Sequence, residues 1–578
     1  MLREWLVPAA VCVVAIVAPA AQGTTERIDT EMNARIRKEG MDNSQIVRTL
    51  HYLTDVFGPR VTGSPNHEAA AKWIVDEMTK WGFTNGHLEP FEFKITAANG
   101  TVTKPTGGWL NEKASGHLIS PVRDHLVFEV LAWTPSTAGV VTASAFHLIT
   151  PQGPETGAPG TPTNNCPTVK PRFGPTDAQL SAYFTSIASK VKGAIVFVGP
   201  QACVPFAEVA PAKRMTEEAW RGRLGAAPGA GRGGPPAGGG RGGGNNPPPQ
   251  PPAGTLTAAD VATRLNAFLL ANRAAVRVND AGREHGQIRA FQHSAYDPTK
   301  TVPTVVMRNE DYGRITRLLA DSMDVRLEFN IVNRSFPRGQ TSYNAIAEIP
   351  GTDKAKEVVM LGGHLDSWHS ATGATDNAIG VATMMEAARI LQALGVKPRR
   401  TIRVVGWGGE EQGLLGSKAY VEQHFGTAEN PKPEFATFNG YFNIDGGTGQ
   451  FRIASIFGPS EAGEVLSQIF KPFEDIGIYG ATTTRGRNTG GTDSTSFNAA
   501  GLPGIGLSQD GIEYNSHTWH SNLDTYERIV ENDVKRSAIA IASAVYHVAM
   551  RDDMLPRFTS ETMPPVPGGG RGGAAAQP

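Results

Sequence analysis

Five short stretches of this 578-residue chain carry the residues that could do chemistry. Gly362-Gly363-His364-Leu365-Asp366-Ser367-Trp368 follows the apolar run Val358 to Leu361. Asp376 stands in Gly373-Ala374-Thr375-Asp376-Asn377-Ala378. Trp407-Gly408-Gly409-Glu410-Glu411 closes a second apolar run, and Asn443-Ile444-Asp445-Gly446-Gly447 a third. His520 comes late, in His517-Thr518-Trp519-His520-Ser521-Asn522-Leu523-Asp524-Thr525. Singly, each has a plain structural reading: His364 as a packed residue, Asp376 as a helix cap, Glu410-Glu411 as first-turn acids, Asp445 as the start of a turn. Gathered at one sheet edge, that much like charge cannot be buried unless cations neutralise it. Two histidines and several carboxylates without cysteine suit zinc. The donors suffice for two ions, each taking about three protein ligands, with one carboxylate shared. A tandem Glu410-Glu411 lets one side chain ligate while its neighbour takes a proton from the attacking water. An aspartate two residues after His364 can fix the tautomer and tilt of its ring.

The elements around these residues must bring them together. From Ser342 to Asp553 strands and helices alternate. Asn344–Ile349, Glu357–Leu361, Thr401–Trp407, Phe438–Ile444 and Leu502–Leu507 read as strands. Ala378–Leu394, Leu414–Phe425 and Ile529–Val548 read as helices, the first with a core stripe of Val381, Met385, Ala388 and Leu391. Consecutive βα units predict an α/β fold with a largely parallel sheet and helices on both faces. Ligands bind such sheets where strands end. Upstream, Ile28–Lys80 is helical, broken by the turn Gly58-Pro59-Arg60-Val61-Thr62-Gly63-Ser64-Pro65. From about Val127 short β-rich runs take over: Val127–Trp133, Gly193–Gly199, Val276–Val278 and Thr304–Met307, with a helix over Ala258–Ala271. They predict a smaller unit inserted before the main sheet.

The length calls for two or more domains. Formal net charge is -1 and 40% of residues are hydrophobic, so composition points to no polyanion and no membrane surface as partner. Arg3, the apolar Leu6–Val17 and the small-residue Ala18-Pro19-Ala20 form a secretory signal, too short to span a membrane. Export is therefore expected, with cleavage near Ala20. Setting Cys12 aside leaves Cys166 and Cys203, an even pair in an oxidising compartment; a disulfide is expected, and two unpaired buried thiols are the alternative. Gly225–Gly254, almost all Gly, Pro, Ala, Arg and Asn, cannot bury enough apolar surface to fold. Its Gly-Arg-Gly-Gly units at Arg232 and Arg241 recur at Arg571. They read as a flexible loop and tail rather than a nucleic-acid arm.

The motif set resembles the di-zinc exopeptidase family of bacterial leucyl aminopeptidases and carboxypeptidase Q. The likeness runs from about Leu50 to Leu555 and includes Gly58-Pro59-Arg60 and Thr62-Gly63-Ser64; Gly-Gly-His-Leu-Asp-Ser-Trp and Glu-Glu-Gln-Gly are nearest to carboxypeptidase Q. The resemblance implies a three-layer αβα zinc-exopeptidase fold with an inserted, β-rich, protease-associated-like domain. Its implied divisions are a signal peptide at 1–20, peptidase segments at 21–125 and 326–558, the insertion at 126–325, and a tail at 559–578. It implies that His364, Asp376 and Asp445 bind one Zn2+, and Asp376, Glu411 and His520 a second. Glu410 would be the general base and Asp366 would orient His364. Several members have Tyr where Trp519 stands, and Tyr514 is the candidate substitute for that phenol. Many aminopeptidases have Ser-Asp-His at Thr492-Asp493-Ser494. Asp493, like Asp445, is a candidate to hold a substrate amino group. The implied activity is hydrolysis of dipeptides or short peptides. Rival readings are a glutaminyl cyclase or amide deacylase on the same fold, and a receptor-like binding protein without catalysis. Oligomeric state is left open, a homodimer being one option.

Overall fold

The computed structural model describes residues 25–96, 101–157, 165–208, 214–224 and 251–567. The signal segment, nearly all of the Gly/Pro/Arg loop and the end of the tail lie outside them. Two eight-stranded sheets dominate. The first runs in the order Thr84–Glu92, Thr341–Ile349, Arg400–Trp407, Lys354–His364, Phe438–Ile444, Gly504–Gln509, Phe451–Phe457, Gly480–Thr484. Its four middle strands are mutually parallel, and antiparallel neighbours flank them on either side.

Alternation along the strands makes the two helical layers. Ala345, Ala347, Val359, Leu361, Ile402, Val404 and Phe442 face a core shared with helices Pro65–Lys80, Ile379–Ala393 and Glu531–Met550. Their neighbours Ile346, Val358, Met360, Val405, Trp407 and Tyr441 face Tyr420, Val421 and Phe497 on helices Leu415–His424 and Ser494–Ala500. Helix Pro65–Lys80 starts as its sequence dictates: Ser64 caps it by accepting from the His67 amide at 3.2 Å, and Pro65 occupies the first turn. Helix Ile379–Ala393 is buried almost throughout, which explains its lack of a polar face.

Parallel registers align the chemistry. His364 stands opposite Trp407 and Gly362 opposite Asn443, so the loops carrying Glu410-Glu411 and Asp445 leave the sheet beside the end of the His364 strand. Gly362 is required there, since a Cβ would meet the Val405 carbonyl oxygen at 2.2 Å.

The second sheet has the order Asp124–His125, Gly108–Ser120, Arg326–Phe336, Val141–Leu148, Ile195–Val198, Val276–Asp280, Thr304–Met307, Phe128–Val130. It begins earlier and ends later than the 126–325 expected. Gly108–Ser120 pairs along its whole length with Arg326–Phe336, and both strands are half exposed and polar, so no apolar run marks them. The run Val127–Trp133 is a strand only over Phe128–Val130; Ala132 then bridges Gln292. Cys166 and Cys203 are joined by a disulfide with Cα atoms 5.7 Å apart. In the first sheet, strand Phe451–Phe457, helix Ser460–Phe470 and strand Gly480–Thr484 add to what the sequence pattern predicts. Phe451, Ile453 and Ile456, ahead of Gly458-Pro459, were a readable strand signal. No helix of the described residues is long and apolar enough to cross a membrane.

Candidate active site

Beyond its strand, the segment Leu365–Gly373 is held by a buried arginine from the first domain segment. Arg60 donates to the carbonyls of Leu365 at 2.7 Å, Leu53 at 2.5 Å, Thr372 at 2.8 Å and Gly373 at 2.9 Å. Its amide donates to the Ser367 hydroxyl at 3.0 Å. A guanidinium satisfied by so many carbonyls fixes a loop that has no regular hydrogen bonding of its own. Trp368 and His369 leave this loop for the second sheet. The His369 ring lies 2.5 Å from the Val130 carbonyl and edge-on to Trp109.

The acids and histidines meet at the carboxyl edge of the first sheet. His364 Nε2 lies 3.2 Å from Asp376 Oδ1 and 3.5 Å from Asp445 Oδ1. His520 Nε2 lies 3.2 Å from Asp376 Oδ2 and 3.0 Å from Glu411 Oε2. Donor atoms of His364, Asp376 and Glu411 are all within 4.8 Å of one another. One carboxylate, Asp376, thus offers an oxygen to each histidine. Its own place is fixed by Asp524, whose carboxylate accepts from the Thr375 amide at 2.6 Å, the Thr375 hydroxyl at 2.7 Å and the Asp376 amide at 3.1 Å. Asn377 donates to the Ile444 carbonyl at 2.9 Å and accepts from the Gly380 amide at 3.0 Å, tying this turn to the Asp445 loop.

Asp366 is placed differently from the simple expectation. The His364 Nδ1 is 2.9 Å from the Asp366 backbone carbonyl, while the carboxylate is 3.8 Å away. That carboxylate accepts instead from the amides of Glu410 at 3.1 Å and Glu411 at 3.2 Å, and from the Thr62 hydroxyl at 3.0 Å. The carbonyl takes the Nδ1–H and leaves Nε2 facing the cluster. The carboxylate acts as the anchor of the tandem glutamates.

The electrostatics are those of a site short of positive charge. Burial pushes the Glu411 carboxyl up to about 7, and burial also pushes Glu410 well up, with the charges of Asp445 and Glu411 adding to it. Burial opposes the charged form of His520, but Glu411 and Asp376 together drive it to about 10. Burial likewise opposes protonation of His364, yet Asp445 and Glu410 raise it well above the usual imidazole range. Without added cations the cluster can be neutralised only by binding protons. Glu411 Oε1 and His520 Nδ1 are buried without hydrogen-bond partners. Unpaired oxygens beside two inward-facing imidazole nitrogens, with no thiolate among them, match the donor preference of zinc. Trp368, Gly373, Asp376, Glu411, His520 and Asp524 line a small pocket open to solvent.

Tyr514 is buried, and burial with the charges of Asp376, Asp445 and Glu411 raises its phenol well above the usual range. Asp493 is fully buried beside the Ser417 hydroxyl, and burial lifts it to about 7. Trp519, where a phenol was expected by resemblance, stacks on the His520 ring with 4.1 Å between centroids.

Residues 344–545 match Peptidase family M28. Within this M28 segment lie His364, Asp366, Asp376, Glu410, Glu411, Asp445 and His520. Carboxypeptidase Q of Mus musculus is 29% identical over 273 residues, 47% of this chain and 54% of the relative. Leupeptin-inactivating enzyme 1 of Streptomyces exfoliatus is 30% identical over 233 residues, 36% of this chain and 49% of the relative. The chain therefore spans about half the length of the curated relatives it matches. A peptidase M28 precursor from Shewanella amazonensis SB2B has the same fold, with a TM-score of 0.57 at 20% identity over 91% of this chain and 98% of that one. Two residues that shape the site come from outside the matched segment: Arg60 and Thr62. Their sequence signal was the Gly-Pro-Arg-Val-Thr-Gly turn, which showed a tight loop but not what it held.

Proposed function

We propose that this protein is an exported di-zinc metallo-exopeptidase acting on dipeptides or short peptides. The observation that carries the reading is the sharing of Asp376, whose two oxygens face the Nε2 atoms of two different histidines. His364, Asp376 and Asp445 would hold one zinc, and Asp376, Glu411 and His520 the other. Bound there, the ions would supply a Lewis acid for the scissile carbonyl and acidify the attacking water.

The remaining work falls to the chain. Glu410 takes the proton of the attacking water and delivers it to the leaving amine. Asp366 positions Glu410 by holding two consecutive amides. Tyr514 donates its phenolic hydrogen to the oxygen that gains charge as the carbonyl is attacked. Asp493, buried near the charges of Asp445 and His364, receives the substrate's amino group. Trp368 lines the pocket, and Phe291 packs edge-on against it and against His520. The strands between Gly108 and Phe336, with their helices, form a protease-associated-like unit set into the peptidase domain. The signal at residues 1–20 directs export, which agrees with the Cys166–Cys203 disulfide.

A panel of dipeptides with free ends, acetylated amino ends and amidated carboxyl ends tests this. The free dipeptides are expected to be hydrolysed, with activity lost to a chelator and restored by Zn2+. Acetylation is expected to abolish turnover. Release of pyroglutamate from N-terminal glutamine, with no peptide hydrolysis, would replace this reading by the cyclase.

A further inference from the structure

The second sheet sends residues 287–293 against the M28 site. The Ile288 amide donates to the Asn522 side chain at 2.8 Å, and the Asn522 amide donates to the Ile288 carbonyl at 3.0 Å. The Phe291 ring stands 5.4 Å from that of His520 and 5.3 Å from that of Trp368. This clasp fixes the residue between them, Arg289, relative to His520. Its guanidinium carbon lies 4.6 Å from the centre of the Trp519 indole, which in turn stacks on His520. One aromatic ring therefore separates the guanidinium from the acid-histidine cluster.

Arg289 lacks an acidic partner. Its terminal nitrogen donates to the Asn515 carbonyl at 3.1 Å, and its Nε is buried with no partner. The charges that act on it are those of Arg283, a second cation, and Tyr514. No aspartate or glutamate of the described residues pairs with it. A partly buried cation beside another cation, with an unused donor, is costly until an anion completes it. The indole Nε1 of Trp368, whose ring packs edge-on against Phe291, is likewise buried and unpaired.

We propose that Arg289 is a substrate-binding residue that receives the free α-carboxylate of a dipeptide. The inference rests on the peptidase reading above and names its substrate class. One residue beyond the scissile bond spans about 3.5 Å, and a charge-assisted hydrogen bond adds about 2.8 Å. The Trp519 ring itself fills the direct path to His520, so the carboxylate reaches the guanidinium past the edge of the indole. A guanidinium over an indole can offer its fork to a carboxylate bidentately, which a lysine cannot do. With Asp493 for the amino group, the site would read both ends of its substrate, and the inserted unit would set the length.

The test compares Arg289→Ala and Arg289→Lys in the full-length, zinc-loaded protein on one dipeptide and on its carboxamide. For the free acid, the Ala variant is expected to lose about 10- to 100-fold in kcat/KM, mostly through KM. Its rate on the carboxamide is expected to be unchanged, which also shows that the variant folds. Arg289→Lys should recover part of the loss. Calorimetric binding of a reduced-bond, uncleavable dipeptide should show the same selective loss without turnover. An equal loss on acid and amide, or no loss on either, overturns the assignment. Should the wild-type protein hydrolyse neither compound, the peptidase reading falls and this one with it.

Discussion

Glu410→Gln is expected to abolish dipeptide hydrolysis while leaving the zinc content unchanged. The two adjacent glutamates are held alike, since their amides share the Asp366 carboxylate at 3.1 and 3.2 Å. Their side chains part company. Glu411 Oε2 meets the His520 Nε2 at 3.0 Å and so belongs with the proposed ligands. Glu410 is felt at His364 as a charge and makes no such contact. Gln has the size of Glu but cannot accept a proton from the attacking water. General-base loss typically lowers turnover about 10²- to 10⁴-fold. A larger loss is expected where the same group also protonates the leaving amine. Glu411→Gln should instead weaken the zinc shared with His520. Metal analysis and dipeptide turnover of both variants decide the matter. Metal loss in Glu410→Gln with both zincs kept in Glu411→Gln would reverse the assignment, and full activity in Glu410→Gln would end it.

Asp376→Ala should have the broadest effect of any single change in the cluster. Its oxygens face both histidines, at 3.2 Å each, and Asp524 uses three hydrogen bonds to hold its turn. On the two-zinc reading, removing this carboxylate would withdraw charge from both ions at once. Both zincs should be lost or bound weakly, and turnover should fall by about 10³-fold or more, since such ions supply several kcal/mol to the transition state. His520→Ala should spare the ion at His364 and Asp445. Equal zinc content in Asp376→Ala and the wild-type protein would show that Asp376 is not shared.

Much of this site was legible in the sequence because its donors sit at the ends of apolar runs. Val358–Leu361 and Phe438–Ile444 are buried on both faces, so hydrophobicity alone marks them, and His364 and Asp445 follow directly. Asp376 and His520 lie in loops and were found by residue type and motif. What holds them was not legible. Arg60 reaches the 365–373 loop across about three hundred positions of chain, and Asp524 meets Thr375 across 149. Nothing local distinguishes such residues from ordinary polar ones. Asp366 shows the same limit: its type and spacing suggested a partner for His364, but the parallel register brings the Glu410 and Glu411 amides to its carboxylate first. The strands Gly108–Ser120 and Arg326–Phe336 escaped because a half-exposed, polar pair has no apolar run to betray it. Arg289 lies far from the motifs in sequence, and tertiary contacts such as the Ile288–Asn522 clasp bring it to the site.

Zinc titration of the stripped full-length protein tests the two-ion site most directly. The protein is dialysed against chelator, Zn2+ is returned in steps, and bound metal and dipeptide turnover are followed together. Binding should saturate at two ions per chain, with turnover rising as the sites fill. Asp376→Ala should show neither step. Saturation at one ion with full activity, or full activity in metal-free protein, would contradict a shared two-zinc centre.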